Sequence, residues 1–150
     1  MPQSFASLHC HMIFSTKGRE PFIDPDLQPR LYEYIGGVLR LRGSVLVAAG
    51  GMPDHVHLLV SLSREEVMAA VVRDVKSLSS KWVHESFPER GAFAWQTGYG
   101  AFAVRFSNVP AVKRYLARQA EHHRTRTFQE EFIAFLRRHQ IPYDERYLWD

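Results

Sequence analysis

Met52-Pro53-Asp54-His55-Val56-His57-Leu58-Leu59-Val60 reads as a turn followed by a strand with two unlike faces. Side chains alternate along a strand, so His55 and His57 share one face. Val56, Leu58, Val60 and Leu62 fall on the other face and can be buried. The strand is thereby anchored on one side and chemically free on the other, which suits a metal site.

Just before this strand, the apolar run 44–49 reads as a second strand, and Gly50-Gly51 reads as the turn that pairs it with the histidine strand in a hairpin. Segment 5–15 alternates Leu8, Cys10, Met12 and Phe14 against His9, His11 and Ile13, as a first strand would. Between them Asp24-Pro25 marks a helix start, and Leu27, Leu31, Ile35 and Val38 keep a helical period until Gly43. Downstream, Ser63 and Glu66 have capping-box spacing ahead of a helix with Val67, Val71, Val75, Leu78 and Trp82 on one side. Segment 95–104, interrupted by Gly98 and Gly100, reads as a fourth strand. Asn108 and Pro110 open a third helix to about Arg124; Thr127 and Glu130 cap a fourth, with Phe128, Phe132, Phe135 and Leu136 inward and Pro142 at its end. The order β-α-β-β-α-β predicts an α+β fold, a ferredoxin-like antiparallel sheet with helices on one face, plus C-terminal helices that carry Tyr115.

The 150 residues are 45% hydrophobic, enough for the core of one domain expected to span 1–150. No window approaches the roughly 18 uninterrupted apolar residues of a membrane span, and no basic-then-apolar leader opens the chain, so a cytoplasmic protein is expected. Cys10 is the only cysteine, which excludes an internal disulfide or a thiolate cluster and leaves His, carboxylate or amide as ligands for any metal. The net charge of +3 is unevenly spread: 111–126 holds Lys113, Arg114, Arg118, Arg124 and Arg126 against Glu121 alone. Such a stripe fits a phosphate backbone, and equally a solvated helix face.

His9-Cys10-His11 repeats the His-x-His spacing, so spacing alone does not distinguish His55 and His57; their turn and apolar strand do. Two imidazoles leave a divalent ion undercoordinated. Tyr115 and Gln119, four apart, share a helix face, and an amide oxygen can ligate a hard cation; they read equally as a half-buried aromatic and its polar neighbour.

The chain nevertheless resembles a known family over almost its whole length. Ser15-Thr16-Lys17 with Arg19 and Pro21, Met52-Pro53-Asp54-His55-Val56-His57, Trp95-Gln96 with Gly98-Tyr99-Gly100, and Tyr115 with Gln119-Ala120-Glu121-His122-His123 are together similar to the HUH single-tyrosine transposases of simple insertion sequences and their REP-associated relatives. The resemblance departs after the fourth strand, where Ala103, Arg105 and Phe106 replace small hydroxyl residues, and Asp54 stands where asparagine is also familiar, which assigns it a turn role.

By motif position the resemblance makes Tyr115 the nucleophile and His55, His57 and Gln119 the metal ligands, with Mg²⁺ or Mn²⁺ as cofactor. It implies cleavage and rejoining of single-stranded DNA through a 5′-phosphotyrosine, with no nucleotide cofactor. Lys113, Arg114 and Arg118, and more loosely Lys76 and Lys81, would contact DNA. The implied partners are a hairpin at an element end and a second copy of the chain, paired through the first strand, with the protein on the nucleoid when bound to DNA. The alternatives are a domesticated REP-associated endonuclease, a metal-free single-stranded nucleic-acid-binding module, and an unrelated metal-dependent hydrolase in which Tyr115 is structural.

Overall fold

The computed structural model describes residues 3, 5–63 and 66–149. Its elements run β1 (Leu8–Ser15), α1 (Leu27–Leu41), β2 (Val45–Met52), β3 (His55–Leu62), α2 (Met68–Ser86), β4 (Gly100–Val104), α3 (Val109–Ala117), α4 (Gln119–His122) and α5 (Phe128–Arg138). The strands form one antiparallel sheet in the order β2-β3-β1-β4, the ferredoxin-like arrangement that the element order predicts.

Alternation along the two central strands decides which layer each residue serves. Cys10, Met12 and Phe14 of β1 pair with Val60, Leu58 and Val56 of β3, and all six are buried on one face. Over them lie α1, through Leu27, Leu31, Ile35 and Leu39, and α2, through Val71, Val75 and Val83. The start of α1 is held by Asp24, whose Oδ1 accepts hydrogen bonds from the backbone N–H groups of Asp26 and Leu27.

The opposite face is covered as well, where helices on one face were expected. Ile13 and Phe102 pack against Phe128, Phe132 and Leu136 of α5, with Tyr143, Leu148 and Trp149 of the tail beside them. Each such side chain contributes about 1.5–3 kcal/mol when fully buried, so α5 is a third layer with a core of its own.

Several boundaries differ from the sequence expectation, each for a local reason. Gly50 and Gly51 do not form the hairpin turn; β2 runs through them to Met52, and the chain reverses at Pro53-Asp54. Gly50 is there because α3 comes down on it: a Cβ at this position would lie 2.0 Å from the Leu116 carbonyl oxygen. Helix α2 begins at Met68 rather than behind a Ser63 box, and the Glu66 carboxylate pairs instead with Arg42 at 2.7 Å. The fourth strand shortens to Gly100–Val104, leaving Trp95 in a single bridge to Thr16. The third helix breaks at Arg118, whose φ of −107° and ψ of 24° leave the helical region. Finally, β1 lies between β3 and β4, so it has no free edge through which two copies can pair; the edges are β2 and β4. Among the described residues no helix is long and apolar enough to cross a membrane.

Two glycines should respond in opposite directions. Gly50→Ala forces α3 off β2 and is expected to cost about 1–3 kcal/mol in urea unfolding. Gly37→Ala, inside α1 where an added Cβ has room, should stabilise by about 0.5–1 kcal/mol.

Candidate metal and tyrosine site

Strand β3 presents His55 and His57 on the face opposite Val56 and Leu58, and both imidazoles are fully buried. Their β1 neighbours are Ser15 and Ile13, and His11, one pleat further along β1, brings its Nε2 within 2.7 Å of His57 Nδ1. The C-terminal helices lay the rest of the site over this pair. Tyr115 comes from α3, Gln119 opens α4, His123 follows its last residue, and Glu131 comes from the first turn of α5.

Glu131 lies at the centre. Its Oε1 is 2.9 Å from His57 Nε2, 3.3 Å from His123 Nε2 and 3.5 Å from His55 Nε2. Its Oε2 accepts a hydrogen bond from the Tyr115 hydroxyl and another from Gln119 Nε2 at 3.1 Å. The start of α5 fixes this aim. Thr127 and Glu130 form the expected reciprocal capping box, which spends Glu130 on the helix end and leaves Glu131 facing the sheet.

The protons available do not satisfy these contacts. Asp54 Oδ1 sits 2.7 Å from His55 Nδ1, and the Arg126 carbonyl sits 2.7 Å from His123 Nδ1. A carboxylate and a carbonyl only accept, so both Nδ1 atoms carry hydrogen. The two Nε2 atoms then face Gln119 Oε1, another acceptor, at 3.0 and 3.1 Å. Turning the amide over would set its oxygen against the Glu131 carboxylate instead. Protons alone would have to make His55 and His123 both imidazolium, with ring centroids 4.6 Å apart. One divalent ion supplies the same two charges. The donor atoms of His55, His57, His123 and Glu131 all lie within 4.8 Å of one another, close to the spacing of roughly 3–4 Å set by metal–ligand bonds of about 2 Å. The residues present therefore fit a metal ion.

Without an ion, the electrostatics divide these groups. Burial lowers His57 to about 4, against the pull of Glu131, and burial with His57 nearby lowers His11 to about 3, so both rings are neutral at pH 7. Burial alone would lower His123, but the Glu131 carboxylate outweighs it and raises the ring. Glu131 is pushed up by burial and pulled down further by hydrogen bonds from His123, His57 and Tyr115, which hold it ionised. Burial, followed by the adjacent Glu131 charge, raises the Tyr115 phenol above its usual range. Tyr115 is thus a protonated donor in this arrangement.

The structure brings together His55, His57, Gln119 and Tyr115 of the residues singled out in the sequence. Lys113, Arg114 and Arg118 are exposed on the same helical layer. Lys76 and Lys81 are on α2, across the sheet from the histidines. Lys76 points its ammonium at the carbonyls of Gln96, Thr97 and Gly98, with burial lowering it to about 8, and Lys81 faces Glu85 at 3.9 Å. Asp54, expected only to turn the chain, also holds the outer nitrogen of His55.

Glu131 was not singled out in the sequence, and His11 and His123 appeared there only in the second His-x-His and in the stretch that carries the resemblance, without a ligand role. For Glu131 the signal was available: a carboxylate three residues after Phe128 and four before Phe135 lies on the apolar face of its helix, where an unpaired charge is costly. His123 also lines a cleft of about 760 Å³ whose walls include Arg19, Asp54, Arg124 and Arg126.

A ferredoxin-like sheet with paired histidines on a central strand, faced by a tyrosine and a glutamine from two successive helices, matches the HUH single-tyrosine class. Residues 4–119 match the family model for IS200-like transposases, and the chain belongs to that family. It is similar to the ISDra2 transposase TnpA of Deinococcus radiodurans, 22% identical over 117 residues that cover 75% of this chain and 84% of the relative. Two solved structures share the fold. One is a protein of Deinococcus radiodurans R1 assigned as a transposase, with TM-score 0.63 and 24% identity over 79% of this chain and 98% of that one. The other is a REP-associated tyrosine transposase bound to a REP hairpin, with TM-score 0.60 and 16% identity over 82% of this chain and 73% of that one.

Because Asp54 orients His55, Asp54→Ala should weaken Mn²⁺ or Zn²⁺ binding by about 10–100-fold in calorimetric titration. The far-UV circular dichroism should not change.

Proposed function

We propose that this protein cleaves and rejoins single-stranded DNA at a hairpin by transesterification, with Tyr115 as nucleophile. The observation that carries this reading is that the Tyr115 hydroxyl and the His55-His57 pair meet at one carboxylate within a single chain. Family membership supplies the reaction class, and the hairpin is what one structural relative holds.

In this reading Tyr115 Oη attacks the phosphorus, the bond from phosphorus to the 3′ oxygen breaks, and the product is a 5′-phosphotyrosine with a free 3′-hydroxyl. The phenol must lose its proton as it reacts, because burial and the Glu131 charge keep it protonated beforehand. His55, His57 and neighbouring donors would hold a divalent ion, which would supply charge neutralisation at the phosphate. Lys113, Arg114 and Arg118 offset backbone charge, and the cleft bearing Arg19, Arg124 and Arg126 gives the strand an approach beside His123. The phosphotyrosine retains the bond energy, so an incoming 3′-hydroxyl rejoins DNA without a nucleotide cofactor. Residues 1–150 act as one unit in this scheme. A homodimer through β2 or β4 would bring two DNA ends together; neither active site would depend on it, since Tyr115 already faces the histidines of its own chain.

The test is a labelled single-stranded hairpin incubated with the protein and Mn²⁺ or Mg²⁺, then a denaturing gel. A covalent adduct is expected for the wild type and none for Tyr115→Phe; an adduct with the phenylalanine variant contradicts the nucleophile assignment. Replacing Lys113, Arg114 and Arg118 together by alanine should weaken DNA binding and reduce the slope of log affinity against log salt by about 2–3.

A further inference from the structure

Glu131 is 1% exposed on a helix face otherwise occupied by Phe128, Phe132 and Leu136. A charge in that position is costly unless it is paired and fully hydrogen-bonded. Its two oxygens look in different directions. Oε1 faces the Nε2 atoms of three histidines and no tyrosine, whereas Oε2 faces the Tyr115 hydroxyl and the Gln119 amide. Both Glu131 and His123 lie beyond the segment that the family model matches, which ends at Gln119.

We propose that Glu131 is the joint between the metal and the tyrosine: Oε1 ligates a first-row transition ion together with His55, His57 and His123, while Oε2 holds the Tyr115 hydroxyl in place. The second half rests on the reading of Tyr115 as nucleophile; the first half does not.

The donor set decides the class of ion. Three imidazoles and one carboxylate suit Mn²⁺, Co²⁺ or Zn²⁺, whereas Mg²⁺ favours oxygen ligands and keeps its water. Gln119, expected as a ligand, acts differently under this assignment. Its amide nitrogen fixes Oε2 of the glutamate, and its oxygen closes the inner side of His55 and His123. Helix α5 becomes part of the metal site, so an ion bridges the sheet to the C-terminal layer.

The test uses the full chain, metal alone and no DNA. Calorimetric titration with Mn²⁺ and Co²⁺, and the visible absorption of the Co²⁺ form, are compared for wild type, Glu131→Gln, Glu131→Asp and Glu130→Gln. Glu131→Gln should lose at least about tenfold in affinity and change the Co²⁺ spectrum, with Glu131→Asp between it and wild type. Glu130→Gln, an exposed capping residue, should match wild type. Wild-type affinity and spectrum in Glu131→Gln would overturn the assignment, as would Mg²⁺ competing with Mn²⁺ on equal terms.

The tyrosine half is read by carbon-13 NMR of tyrosines labelled at Cζ, with the Tyr115 resonance assigned by its absence in Tyr115→Phe. Adding Zn²⁺ should shift that resonance in wild type and leave it unmoved in Glu131→Gln; a shift of the same size in both overturns the joint. Tyr115→Phe should keep wild-type metal affinity. A missing DNA adduct alongside these metal results would therefore fail the nucleophile reading while leaving the metal assignment standing.

Discussion

The negative charge of Glu131 is carried into an almost fully buried position, and the rest of the site is built to offset it. Three imidazoles, an amide and a phenol are turned toward two carboxylate oxygens. Those groups come from β3, α3, α4 and the residue that follows α4, so the charge on α5 is met by the helices before it and by the central sheet at once. The packing around it serves the same end. Phe128, Phe132 and Leu136 fix α5 against Ile13 and Phe102, the Thr127 box fixes its start, and Gly50 lets α3 approach closely enough for Tyr115 to reach.

Much of the fold could be read from the sequence because the signals were local and redundant. The alternation around His55 and His57, the caps at Asp24 and Thr127, and the apolar periods of α1, α2 and α5 each name an element with little reference to the others. What was missed depended on contacts distant in sequence. Gly50-Gly51 has the composition of a turn, yet what is used at Gly50 is the missing side chain, which admits a close approach by Leu116, 66 positions later. Apolar residues on α5 were evident, but not that they would cover the second face of the sheet. That depends on where α3 and α4 carry the chain, and the break at Arg118 gave no sequence signal.

The candidate site divides in the same way. His55 and His57 could be found because a strand's period sets their common face, and Tyr115 and Gln119 because family resemblance picks them out. His11 shared the spacing of His55 and His57 but had no context to separate it from chance; only the β1–β3 register brings it to His57. His123 and Glu131 belong to the helices that fold back over the sheet. Their meeting with β3 is a tertiary fact, hinted at only by a carboxylate on an apolar helix face. Lys76 stands apart from this site: a cation on a helix suggested a loose DNA contact, and its ammonium is turned onto three loop carbonyls on the other side of the sheet.

The proposed site requires donors from two layers to converge on one ion. Anomalous scattering from crystals of the full chain grown with Mn²⁺ tests this most directly. A single peak within bonding distance of the Nε2 atoms of His55, His57 and His123 and of Glu131 Oε1 is the predicted result. A peak held by His55 and His57 with Glu131 turned away, or no peak among these residues at saturating Mn²⁺, would contradict it.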